Sequence, residues 1–138
     1  MARSLLLKII TPETLVYQER VDFVSLMGME GSFGVLPGHA PLITQLQVAT
    51  GFIEREGKRI PVAIMGGMCK VLDQHMTIMT DAAELGQNID VLRAQEKKRS
   101  IEVLLQEPNQ DRQMQVDGEM RLKKALVRLR TAELVKRL

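Results

Sequence analysis

The amino-acid sequence predicts an all-β sandwich or barrel followed by an antiparallel α-helical hairpin, and three observations carry that prediction. Up to about Gly86, short runs rich in Val, Ile, Leu and Thr recur between turn signals. Beyond Gly86, glycine and β-branched residues thin out in favour of helix formers and charged residues. Within that second part, Pro108-Asn109 interrupts the helical pattern. Many short strands with no stretch that reads as a crossover helix argue for packed sheets rather than alternating βα units. At 138 residues the chain can hold one well-buried core and a satellite element, not two large domains. The expected division is residues 1–86 for the sandwich and 87–138 for the hairpin.

The expected strands are Leu5–Ile10, Val16–Arg20, Asp22–Met27, Leu42–Val48, Thr50–Arg55, Arg59–Met65, Met68–Leu72 and Met76–Thr80. Turn signals separate them: Thr11-Pro12-Glu13, the loop Gly28–Gly34, Leu36-Pro37-Gly38, Glu56-Gly57-Lys58, Gly66-Gly67 and Asp73-Gln74. For the first helix Asn88 is the expected N-cap, with Asp90 in the first turn, where a carboxylate suits the helix dipole, and an end near Gln106. The second helix should start between Asp111 and Asp117 and run nearly to Leu138. Two helices joined by a short turn make an antiparallel hairpin.

Composition excludes several classes of function. An apolar fraction of 45% and a charged fraction of 26% belong to a folded chain. Aromatic residues make up 3%, with no Trp and only Tyr17, so a base-stacking nucleic-acid platform has almost no material. Cys69 is the only cysteine; an intramolecular disulfide is excluded and a reducing compartment is expected. The start Met1-Ala2-Arg3-Ser4 and the short Leu5–Ile10 run lack the pattern of a secretory signal, and no run approaches the ~18 apolar residues of a membrane span. Work at a membrane would go through partners.

Charge divides with the fold. Residues 1–86 carry 7 basic and 9 acidic side chains, whereas 87–138 carry 12 and 8, which makes the hairpin the electropositive part. At about 100° per residue, Leu122, Leu126 and Leu129 form one stripe of the second helix. Arg121, Lys124 and Arg128 lie along one flank of it, and Lys123, Arg130 and Arg137 along the other. This is either a solvated helix whose leucines enter a core or a docking seam with basic rims for an acidic partner.

Candidate catalytic chemistry is sparse. Gly28-Met29-Glu30-Gly31-Ser32-Phe33-Gly34 is glycine-rich, but Val35-Leu36-Pro37 follows, with no Lys-Ser/Thr pair and no helix N-terminus to face a phosphate. His39, His75 and Cys69 do not show zinc-ligand spacing or a nucleophile pair with an orienting third group. Cys69 reads as a buried structural thiol. His39, in a turn between Gly38 and Ala40-Pro41, is the less ordinary of the two histidines. An enzyme is therefore a poor reading; a stand-alone module whose basic helix contacts nucleic-acid phosphates is the alternative from another class.

The run Gly31-Ser32-Phe33-Gly34-Val35-Leu36-Pro37-Gly38-His39-Ala40-Pro41-Leu42-Ile43-Thr44 resembles the signature loop of F-type ATP synthase epsilon subunits. The resemblance continues through Val62-Ala63-Ile64-Met65-Gly66-Gly67, Ala82-Ala83-Glu84 and Arg128-Leu129-Arg130-Thr131-Ala132-Glu133-Leu134, and so covers essentially the whole chain. It implies a non-catalytic central-stalk subunit. Its sandwich would grip the gamma subunit and rest on the proton- or sodium-driven c-ring, with Glu30, Ser32 and His39 in the contact loop. Ser32 departs from the Glu of many relatives. The resemblance also implies a mobile hairpin that inhibits ATP hydrolysis when extended, setting Arg121, Lys123, Lys124, Arg128 and Arg130 against the catalytic beta and alpha subunits. The implied location is peripheral, on the cytoplasmic face of a bacterial inner membrane or the stromal face of a thylakoid. Nucleic acid is not among the implied partners.

Ile89-Asp90-Val91-Leu92-Arg93-Ala94 is similar to the Ile/Leu-Asp-x-x-Arg-Ala motif with which some bacterial epsilon subunits bind ATP and keep the hairpin folded. The resemblance implies a regulatory ATP site made of Glu84, Ile89, Asp90, Arg93, Ala94 and Arg128, with no metal and no required cofactor. Arg93 would meet phosphate and Asp90 the base. Lys124 and Ser100 stand where arginines are usual or expected in the nucleotide binders, and Lys is the poorer planar clamp.

Overall fold

The computed structural model describes residues 4–138; Met1–Arg3, part of the signal-peptide reading, lie outside the described residues. Eight strands come first: β1 (Leu5–Ile10), β2 (Leu15–Val21), β3 (Phe23–Gly28), β4 (Gly31–Val35), β5 (Leu42–Arg55), β6 (Lys58–Leu72), β7 (His75–Met79) and β8 (Ala83–Leu85). A single 3-10 turn, Gly86–Asn88, leads to α1 (Val91–Leu105) and α2 (Arg112–Val135). The fold is a β-sandwich followed by a helical hairpin, as the sequence predicts.

Hydrogen bonding runs β2-β1-β7-β6-β5-β3-β4, with β8 added to β6. All pairs are antiparallel except β1 with β7. The long hairpin β5–β6 belongs to both layers. The first half of β6 pairs β8 through Val62–Ile64, and its second half pairs β7 through Met68–Leu72. The change of partner falls at Gly66 and Gly67, both at positive φ (79° and 109°). At Gly67 any Cβ would run into the Met79 carbonyl oxygen, so only glycine lets β6 bend between the layers at this point.

Four expectations change here. Gly66-Gly67 is not a turn between strands but a bend inside β6. Leu42–Val48 and Thr50–Arg55 are likewise one strand, β5. Within the expected loop Gly28–Gly34, residues Gly31–Val35 form β4, joined to β3 by the two-residue turn Met29-Glu30. Two of the glycines there serve packing: a Cβ on Gly34 would sit 2.5 Å from Phe23 Cζ and one on Gly28 3.1 Å from Phe33 Cε1. Finally, Asp90 rather than Asn88 caps α1, its Oδ1 accepting from Arg93 N at 3.1 Å. Asp111 caps α2 in the same way, accepting from Met114 N at 2.8 Å.

The main core cluster lies within the sandwich. Leu5, Leu7, Ile9, Val21, Val24, Val35, Ile53, Val62, Met76 and Ile78 are fully buried in one cluster, following the period of two along each strand. Cys69 is in the same cluster. Burial pushes its thiol pKa up to about 12. Tyr17 Oη is buried without a hydrogen-bond partner, and burial raises its pKa while Arg55 opposes the rise.

Candidate functional site

The hairpin lies on the sandwich through α2 far more than through α1. Its seating stripe is Arg128, Thr131 and Val135, three or four residues apart on one face, with Ala125 one turn earlier on the same face lining the hollows shared with α1. Ala125 and Thr131 are buried; Arg128 and Val135 are partly so. The expected leucine seam is therefore displaced: Leu122 and Leu129 are only half-buried, and Leu126 is 44% exposed. α2 lies close to the 3-10 turn at Gly86, where an added Cβ would meet Val135 Cγ2 and the Thr131 carbonyl oxygen.

Arg128 Nε donates to Glu84 Oε1 at 2.8 Å, tying α2 to β8. Where α1, α2 and β8 meet, a hollow of about 190 Å³ is lined by Glu84, Ile89, Asp90, Arg93, Ala94, Lys97, Ala125 and Arg128. All six residues expected at the ATP site line it. An adjoining groove of about 620 Å³ between the helices shares Arg93, Lys97, Ala125 and Arg128 and adds Glu96, Ser100, Arg121 and Lys124. Five cationic side chains thus face one groove with Glu96 as the only carboxylate on its wall, a surface that attracts a polyanion. The smaller hollow is too tight for a drug-sized ligand, whereas the groove falls within the usual range of about 300–1,000 Å³.

The expected basic residues separate. Arg121, Lys124 and Arg128 line the groove. Lys123 and Arg130 are exposed and line neither hollow, and Arg137 makes an i,i+4 pair with Glu133 at 3.6 Å. Lys97 and Ala125 were not among the expected site residues. Lys97 could have been found as the residue one helical turn after Arg93.

The three residues expected in one contact loop occupy three settings. Glu30 is in the β3–β4 turn, next to Met29, whose N donates to Gln45 O at 3.0 Å. Ser32 is exposed in β4 opposite Met27. His39 lies in the β4–β5 connection, which Gly38 N ties to Gln74 Oε1 at 2.8 Å; the His39 ring Nδ1 lies 2.6 Å from the Ala40 carbonyl. Among the described residues there is no group of three or more His, Cys, Asp or Glu that could hold a metal, and no helix long and apolar enough to cross a membrane.

A family model described as the ATP synthase delta/epsilon chain β-sandwich domain matches residues 4–86. An ATP synthase epsilon chain of Desulforamulus reducens is 38% identical over 133 residues, 96% of this chain and all of that one. That of Herpetosiphon aurantiacus is 39% identical over 131 residues, 93% of each chain. Among solved structures, a chain of the Euglena gracilis mitochondrial ATP synthase, determined as OSCP/F1/c-ring, matches with a TM-score of 0.76 at 24% identity over 99% of this chain and 83% of that one. A chain of the Tetrahymena thermophila central stalk/c-ring has the same fold, with a TM-score of 0.57 at 10% identity, covering 93% of this chain and 96% of that one. The chain belongs to the epsilon-chain family of ATP synthases.

Proposed function

We propose that this chain is a non-catalytic central-stalk subunit whose sandwich seats on the gamma subunit and the c-ring, and whose hairpin restrains ATP hydrolysis under the control of bound ATP. The two working parts divide at residues 86 and 87. The observation that carries the regulatory part is the convergence of Glu84, Ile89, Asp90, Arg93, Ala94 and Arg128 on one hollow that adjoins the larger cationic groove through the shared Arg93, Lys97, Ala125 and Arg128. Residues from α1, α2 and β8 meet there only while the hairpin is folded down, so a ligand that bridges them favours that state.

The residues divide the work. Arg93, Lys97, Lys124 and Arg128 face the groove with enough positive charge for a triphosphate. Asp90 Oδ1 is committed to its cap, which leaves Oδ2 for an adenine amino group, and Ala94 leaves room for the ring. Assembly with gamma and the c-ring is supported by the solved relatives, which come from F1/c-ring and central stalk/c-ring assemblies. Glu30, Ser32 and His39 are the proposed contacts, from the three settings described. In the extended state Lys123 and Arg130, free of the groove, would join Arg121, Lys124 and Arg128 against the catalytic subunits. The proposed location is peripheral, on the cytoplasmic face of a bacterial inner membrane or the stromal face of a thylakoid. Calorimetric titration of the full chain with ATP should give saturable binding that Arg93→Ala weakens at least tenfold. No heat with the unaltered chain would remove ATP from the reading.

A further inference from the structure

The geometry points to Gly86 as the gate that decides whether the helical hairpin is seated on the sandwich or released from it. Gly86 is buried in the 3-10 turn between β8 and α1. A Cβ added there would lie 2.6 Å from Val135 Cγ2, 2.9 Å from the Thr131 carbonyl oxygen and 3.1 Å from Pro61 Cγ. The first two belong to the last turns of α2 and the third to β6. The φ of Gly86 is outside the left-handed region, so any residue could adopt its backbone conformation. What this position requires is small size, and the two tightest of the three contacts are made only while α2 is down.

The close approach permits two polar links. Thr131 is fully buried and its Oγ1 donates to Val127 O at 2.6 Å. With its one hydrogen so placed, it can only accept from Thr50 Oγ1, 2.8 Å away on β5. Thr50 is therefore the donor across the seat. One turn earlier on the same stripe, Arg128 holds Glu84 at 2.8 Å. If a side chain at position 86 lifts α2 by even a methyl radius, the Thr50–Thr131 bond exceeds hydrogen-bonding range and both hydroxyls prefer water or their own helix. Three contacts on one stripe thus share a single geometric condition. A seat of small and polar groups is sensitive to depth, whereas a ridge of leucines would slide and readjust.

This gate deepens the regulatory reading and rests on it for its consequence, but it can be measured in the full chain alone. Spin labels at Lys58→Cys and Glu133→Cys, both exposed positions, report the distance from the β5–β6 turn to the end of α2; the buried Cys69 takes no label. The unaltered background should give one narrow distance distribution. Gly86→Ala should add a longer, broad population at tenfold or more the released fraction, with helical content by circular dichroism unchanged. Adding Val135→Ala should recover only part of it, because the Thr131 carbonyl still collides. Thr50→Val, which keeps side-chain shape, should shift the balance the same way by about fivefold. Unchanged distributions in both Gly86→Ala and Thr50→Val would overturn the gate, and so would Gly86→Ala unfolding the sandwich while Thr50→Val stays seated. If Gly86→Ala releases the hairpin but ATP hydrolysis by the assembled complex does not change, the gate stands and the regulatory reading falls.

Discussion

Cys69 and Tyr17 show how one environment acts on two ionisable groups. Burial holds the Cys69 thiol protonated, with its pKa raised from 9.0 to about 12. The sign follows from the protonated form being favoured in the folded state. Its contribution is fully present below pH 9, is lost as pH rises from 9 towards 12, and changes nothing at neutral pH. Iodoacetamide at pH 8 should therefore leave Cys69 unmodified in the native chain and alkylate it in denaturant; fast native-state alkylation would contradict its burial. Tyr17 carries a buried hydroxyl with no partner, so Tyr17→Phe should be neutral or stabilising by up to about 1 kcal/mol in urea melts. At this scale the sequence groups the residues of one hollow, but not those of the contact loop or the basic helix, which the fold separates. The six residues of that hollow meet because Ile89–Ala94 is local to the start of α1, Glu84 lies in β8 one 3-10 turn before it, and Arg128 reaches Glu84 from α2. Lys97 and Ala125 were not found, because nothing in the sequence says which face of α1 meets which face of α2.

Strands and turns were legible where side-chain alternation or turn chemistry is local. The turns Glu56-Gly57 and Asp73-Gln74 fall where the sequence puts them, all four residues at positive φ as two-residue antiparallel hairpins require. β4 does not show in the sequence because Gly31 and Gly34 read as a loop, whereas Gly34 makes room for Phe23 and Gly31 sits at a positive φ of 128°. The bend at Gly66-Gly67 was read as a turn for a related reason: a glycine pair gives a change of direction but not whether pairing with β5 continues through it. It does, from Leu46 with Gly67 to Val48 with Met65. Gly67→Ala combines positive-φ strain with a collision against Met79 and should cost about 3 kcal/mol or more in thermal or urea unfolding. A loss below about 1 kcal/mol would mean that β6 can bend without glycine.

Over the whole molecule, the division of labour rests on where the core is. Every member of the main buried cluster lies between Leu5 and Ala83, so the sandwich closes without help from the helices. The hairpin is an addition seated through one stripe of α2, and the groove between its helices is crowded with positive charge. Periodicity marks apolar residues and so suggests a leucine ridge for this contact, whereas the links across it are the Thr50–Thr131 hydrogen bond and the Arg128–Glu84 pair. A hairpin held in this way is well suited to two positions, and a polyanion in the groove would bias it towards the folded one. The most direct test is the ATP hydrolysis rate of a complex assembled with the chain ending at Gln110, compared with one carrying the full chain. Loss of α2 should leave assembly intact and raise hydrolysis at least severalfold; equal rates from the two complexes would contradict the hairpin's role as a restraint.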